Sequence, residues 1–131
     1  MIVRALNIPG IVVCFAIVLG ISVASEKSEA AELVMLEQQG CAWCEVWNEE
    51  IGVAYPKTDE GKTAPLRRVD ITDPWPEDLV KVQKEPLTPT FILVEDGEEV
   101  ARLRGYPGEH FFWPMLSKML DKLQEHEKSG S

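Results

Sequence analysis

Apolar positions along the chain follow two rhythms. Leu33-Val34-Met35-Leu36 is apolar at every position, which predicts a strand buried on both faces and therefore central in a sheet. Gly40 follows as a turn residue. Val46, Trp47 and Ile51 then recur at helical spacing, predicting a helix from Cys41 through Ile51 that Tyr55-Pro56 and Gly61 end or interrupt. Leu66 to Ile71 reads as a second strand. Asp73-Pro74-Trp75-Pro76 marks a rigid loop into a short amphipathic helix over Glu77 to Lys84, with Pro76 suited to its first turn. Thr90-Phe91-Ile92-Leu93-Val94 is the clearest strand, and Asp96-Gly97 is a two-residue hairpin signal pairing it antiparallel with Glu99 through Leu103. Phe112, Met115, Leu116, Met119, Leu120 and Leu123 recur every three or four residues, the pattern of a closing helix with one buried stripe. Pro114 near its start predicts an irregular first turn around Glu109 to Trp113. The order is strand, helix, strand, helix, hairpin, helix: an α/β domain with no internal repeat.

The first residues stand apart from this pattern. Arg4 gives a short positive start, Ile8 to Val23 carries no charge, and Ser22-Val23-Ala24 offers small residues where a signal peptidase cuts. The expectation is a signal peptide over 1–24, cleaved before Ser25. The alternative is an uncleaved membrane anchor, because the uncharged stretch approaches the roughly 18 to 20 residues a spanning helix needs. Either way the domain faces the oxidising side of a membrane. A flexible leader is expected over 25–32, the folded domain over 33–126 and a frayed tail over 127–131.

At 131 residues the chain is long enough for one domain and too short for two ordinary ones. Its formal charge of −9 argues against sequence-independent binding to nucleic acid, which needs a basic face. Loss of the leader would remove Arg4 and no acid. Of 13 basic residues 12 would remain against 22 acidic, a formal −10. Cys14 would leave too, so Cys41 and Cys44 become the only thiols.

Cys41-Ala42-Trp43-Cys44 lies between a buried strand and a helix. That position places the first sulfur at a helix N-terminus, where unpaired N–H groups and the helix dipole stabilise an anion. The thiolate is the attacking species, so Cys41 is the expected nucleophile and Cys44, further in, the resolving thiol. Two other readings stand beside redox chemistry. One is a permanent disulfide staple, although so short a loop constrains the unfolded chain little. The other is half of a zinc or copper site, for which only His110 and His126 could add imidazoles. Thr88-Pro89 stands immediately before the strongest strand, where an X-Pro bond can be cis and a proline costs no ladder bond.

The strand, the Cys-x-x-Cys helix and the Thr-Pro before an antiparallel hairpin together resemble the thioredoxin superfamily. That resemblance implies a thioredoxin-like βαβαββα fold with helices flanking a central mixed sheet. It makes Pro89 a cis proline against the dithiol, Thr88 the residue offering its backbone to a bound substrate strand, and Gly105 a lining residue of the same groove. Trp43 is expected to form one wall. A closer resemblance, to the periplasmic SoxS-type thioredoxins of bacterial sulfur-oxidation clusters, is carried by Leu33-Val34-Met35 running into Gly40-Cys41, by Trp43, and by Tyr55-Pro56 with Thr58-Asp59-Glu60-Gly61. Thr88-Pro89-Thr90-Phe91, Gly105-Tyr106-Pro107-Gly108-Glu109 and Phe111-Phe112-Trp113-Pro114-Met115 complete it. It implies a monomeric periplasmic protein-disulfide reductase without a cofactor. Its substrate would be the cysteine of the sulfur carrier SoxYZ, and its electron source a membrane thiol transporter of the CcdA or SoxV kind. A copper-binding module of the same fold, or a reductant for cytochrome c maturation, are the alternatives.

The chain departs from thioredoxin in two places. The buried acid six residues before the first cysteine is here Met35, with Glu37 on the same strand face two residues later. Glu45 stands where thioredoxin has a lysine, and its charge would oppose thiolate formation. The Ala42-Trp43 pair matches none of the common redox proteins, so the direction of electron flow rests on the resemblance.

Overall fold

The computed structural model describes residues 30–130. The segment 1–24 and most of the leader lie outside the described residues. Four strands, β1 (Glu32–Glu37), β2 (Leu66–Asp70), β3 (Thr90–Glu95) and β4 (Glu98–Arg104), form one sheet in the order β2-β1-β3-β4. β1 runs parallel to β2 and antiparallel to β3, and β3 pairs antiparallel with β4. The two central strands are the two apolar runs, and Leu33 to Leu36 and Thr90 to Glu95 are buried throughout. Ala31, within the expected leader, is buried.

Alternation along the central strands divides the core. Leu33, Met35, Phe91 and Leu93 face the layer made by α1 (Ala42–Trp47) and α3 (Glu109–Ser129). Val34, Leu36, Ile92 and Val94 face the opposite layer with Val69, Leu79 and Val82. Asp96 and Gly97 both adopt positive φ, 51° and 72°, which gives the β3–β4 turn the twist of the flanking strands.

Three segments differ from the expected pattern. The helix expected over Glu77 to Lys84 is reduced to a 3₁₀ turn, Glu77–Leu79. Backbone bonds Leu79→Pro76, Val80→Glu77 and Val82→Leu79 all span three residues, and the Trp75 indole N–H donates to the Leu79 carbonyl at 2.8 Å. That carbonyl is thus satisfied by a side chain and a tight turn, and Leu79 and Val82 reach the core without a longer helix. Between α1 and β2, a π-helical turn (Asn48–Gly52) and a 3₁₀ turn (Tyr55–Lys57) precede a short helix, α2 (Asp59–Thr63), which the sequence pattern did not indicate. Thr58 Oγ1 caps it by accepting from the Gly61 N–H at 3.0 Å.

The expected irregular turn before Pro114 is absent. α3 is continuous from Glu109, and both Phe111 and Phe112 N–H groups donate to the Gly108 carbonyl. Pro114 and His110 are both exposed, so the missing helical bond falls on the solvent side, where losing it costs least. α3 also runs to Ser129, beyond the end expected at 126. His126 Nδ1 meets the buried Glu95 carboxylate at 3.1 Å and fixes that end to β3.

Candidate active site

β1 ends at Glu37, and a turn through Gly40, at φ 78°, delivers Cys41 to the first position before α1. Cys41 is the N-cap, with φ −78° and ψ 97°. Its carbonyl accepts the Cys44 and Glu45 N–H groups, and its Sγ accepts from the Cys44 N–H at 3.2 Å. A sulfur therefore occupies the place where a serine or aspartate oxygen usually receives a helix-end donor. The same donor is aimed at negative charge on that sulfur once the bond to its partner is open. Cys41 and Cys44 are joined in a disulfide with Cα atoms 5.2 Å apart, and Cys44 is the more deeply buried.

The antiparallel register of β1 and β3 brings the second half of the site beside the first. Leu36 stands opposite Thr90, and past the strand ends Gln38 Nε2 donates to Thr88 Oγ1 at 3.2 Å. The Thr88–Pro89 bond is cis, the configuration the resemblance implies. The Pro89 carbonyl accepts the Gly105 N–H at 2.8 Å, and Gly105 has φ 79°. Thr88, Pro89 and Gly105 are thus joined to one another through β3 and β4, and to the Cys41 turn through Gln38. Trp43 projects from the first turn of α1 and is 61% exposed.

An open cleft of about 290 Å³ is lined by both cysteines, Glu37, Gln38, Glu45 and Asp70, among others. Met35 lies below, fully buried, and Arg68 stands opposite it on β2. The Arg68 guanidinium donates to Glu37 at 2.6 Å, to Asn48 Oδ1 at 2.8 Å and to Met35 Sδ at 3.7 Å, and lies 5.9 Å from the Trp47 ring centre. Glu37 is therefore bound in an ion pair at the mouth of the cleft. Sequence reasoning missed Arg68. The signal available was a pair of arginines in a strand parallel to β1, in register with Met35.

Behind the dithiol, Trp47, Phe91, Phe112, Tyr106 and Tyr55 form a connected aromatic cluster that Trp113 extends by stacking on Tyr55. Phe112 and Trp113 thus belong to packing, whereas Phe111 and Met115 point outward, 64% and 41% exposed. The Tyr106 hydroxyl donates to Glu50 at 2.5 Å, bracing the far end of the active-site helix. Burial first, and the Glu50 carboxylate second, push the Tyr106 phenol up, so it stays protonated as a donor. Among the described residues, no group of three or more His, Cys, Asp or Glu side chains is placed to hold a metal ion. The copper alternative gains no third ligand from them.

Comparison with known proteins adds to this geometry. No protein-family model matches the chain, and no curated protein matches it. Among solved structures, the periplasmic thioredoxin SoxS from Paracoccus pantotrophus, in its reduced form, is 45% identical, with 71% of this chain and 98% of that one covered and a TM-score of 0.68. The chain belongs to the thioredoxin superfamily. Thioredoxin from Malassezia sympodialis, at 15% identity, 69% and 75% coverage and a TM-score of 0.51, shares the fold alone. With the Cys41–Cys44 pair at the head of α1, this superfamily member is a thiol–disulfide oxidoreductase.

Proposed function

We propose that the protein is an exported, monomeric protein-disulfide reductase in which Cys41 attacks and Cys44 resolves. The observation that carries this reading is the Cys41 sulfur at a helix N-cap, facing the Cys44 N–H, in a chain 45% identical to a periplasmic thioredoxin. The Cys41 thiolate attacks one sulfur of the partner disulfide and the other leaves as a thiol. Cys44 then displaces the bound sulfur and closes the Cys41–Cys44 disulfide. Thr88 and Pro89 offer main-chain groups to the partner segment, while Trp43 and Gly105 flank it. The partner is the cysteine of the SoxYZ sulfur carrier, and the reducing equivalents come from a membrane thiol transporter of the CcdA or SoxV type, with the protein in the periplasm.

Cys44→Ser should accumulate a covalent mixed disulfide through Cys41, visible on non-reducing gels and lost on reduction. Equal trapping by Cys41→Ser would refute the division of roles. A potential of the Cys41–Cys44 couple near the ~−120 mV of a strong periplasmic oxidant would refute the reductase direction.

A further inference from the structure

Resolution of the mixed disulfide asks for a second thiolate, on Cys44, and its surroundings oppose one. Cys44 is 4% exposed and shares a hydrophobic cluster with the fully buried Met35. Burial in apolar surroundings disfavours an ionised thiol. The charges facing it from the packed elements are the carboxylates of Glu37 on β1, Glu45 on α1 and Asp70 on β2, which line the same cleft and oppose a further negative charge. Among the described residues, Arg68 is the one cation bonded to side chains of that lining. Arg68 leaves β2 opposite Met35 and turns toward α1. Its guanidinium donates to Met35 Sδ at 3.7 Å and to Asn48 Oδ1 at 2.8 Å, and lies 5.9 Å from the Trp47 ring centre. Asn48 is one turn beyond Cys44, whose carbonyl accepts the Asn48 N–H, so the two side chains are neighbours on one helical face. The positive charge thus stands one side chain away from Cys44. Its carboxylate partner, Glu37 at 2.6 Å, lies at the mouth of the cleft.

We infer that Arg68 controls the resolving step: its charge stabilises the Cys44 thiolate, and Glu37 weakens that effect instead of accepting the Cys44 proton. This rests on the thiol–disulfide reading of the site and deepens it by naming the group that sets its second half. Arg68 is part-exposed and ion-paired, so solvent and Glu37 both screen it. A charge at this range, so screened, moves the ionisation of Cys44 by about half a pH unit, roughly a threefold change in rate below the midpoint.

The test mixes the reduced protein with an excess of dithiodipyridine in stopped flow. In the first phase the Cys41 thiolate attacks, releasing one coloured thiopyridone and leaving a thiopyridyl group on Cys41. In the second, Cys44 gives its proton to solvent, attacks the Cys41 sulfur and closes the Cys41–Cys44 disulfide. The second thiopyridone leaves and takes up a proton, so two electrons pass from the dithiol to the reagent. This phase is recognised by its independence of reagent concentration, and its rate against pH reads the ionisation of Cys44. Arg68→Gln should raise the midpoint of that profile by about half a unit and slow resolution about threefold at neutral pH. Arg68→Lys, which keeps the charge without the forked contacts, should restore most of both. Glu37→Gln should act in the opposite sense, lowering the midpoint and quickening resolution, whereas loss of a proton acceptor there would slow it. Arg67→Gln, the same loss of charge on the other face of β2, should leave the midpoint in place. A wild-type midpoint in Arg68→Gln, no recovery in Arg68→Lys, slower resolution in Glu37→Gln, or an equal shift in Arg67→Gln would each overturn the inference. Release of only one thiopyridone by the wild-type protein would overturn the thiol–disulfide reading itself.

Discussion

Tyr55 links the end of the active-site helix to the start of β2, and replacing it with phenylalanine should give a stability change that reverses sign with pH. The side chain is fully buried, and its hydroxyl donates to the Ala64 carbonyl at 2.6 Å. Phenylalanine keeps the ring contacts with Trp47 and Trp113 but removes this donor, a loss of about 1–2 kcal/mol at neutral pH. Burial raises the Tyr55 phenol above its ordinary 10.0, as it does for Tyr106, and these are the two tyrosines of the chain. A raised folded-state value means that the stabilisation is fully present below pH 10 and is lost as pH climbs towards that value, because the unfolded chain ionises first. Each tyrosine then contributes a loss of ~1.36 kcal/mol per pH unit, so the wild-type protein falls by about 2.7 and Tyr55→Phe by about half that. Lysines titrate alike in both and cancel in the difference. The two stability curves should converge and cross near pH of about 11. Urea unfolding of the oxidised protein between neutral pH and that point, at constant ionic strength, measures both curves. A gap that stays constant across this range would refute the argument that the Tyr55 phenol is held protonated by burial.

Other substitutions separate packing from exposure. Phe112→Ala, which removes a ring touching Trp47, Phe91, Tyr106 and Trp113, should cost about 3–5 kcal/mol, and Phe111→Ala within about 0.5 kcal/mol, both read from denaturant midpoints. Gly61→Ala would place a methyl group on the Tyr55 carbonyl and should cost about 3 kcal/mol; Gly105→Ala, at φ 79° in open space, should cost only about 1 kcal/mol in thermal unfolding. Bonds from Thr72, Arg67, Arg104 and Lys81 hold Asp70, Asp78, Glu85 and Glu98 below their ordinary values of 3.8 and 4.5. Depressed values stabilise the fold above that range and the contribution is lost as pH falls from it through the lowered folded-state values, so acid unfolding should steepen below it. Arg67→Gln should flatten part of that fall, and a superimposable acid titration would count against the pairing.

Sequence pattern was most informative where one physical cause dominated. β1 and β3 are central, so burial on both faces left uninterrupted apolar runs, and the left-handed turn at Asp96-Gly97 demanded its residue types. The dithiol was legible because its chemistry needs two cysteines at one helix end. The segment after Pro76 was misread because Leu79 and Val82 have a spacing that a helix and a chain of tight turns satisfy equally, and the Trp75 indole that decides between them acts through tertiary structure. Pro114 was misread because its cost depends on which side of the helix faces water. Arg68 was invisible as part of the site, since only the β1–β2 register sets it across from Met35.

The hydrogen bond from Gln38 to Thr88 has a mechanical consequence. The attacking sulfur and the proline loop emerge from the same end of the two innermost strands, whose backbones are paired along their length. Neither half can travel without tearing the centre of the sheet, so the geometry is set before any partner arrives. A jaw of this kind has no closing stroke. The bending needed to present a disulfide must come from the molecule being reduced, and clients whose cysteines sit on mobile segments should exchange faster than those whose cysteines are held in folded structure.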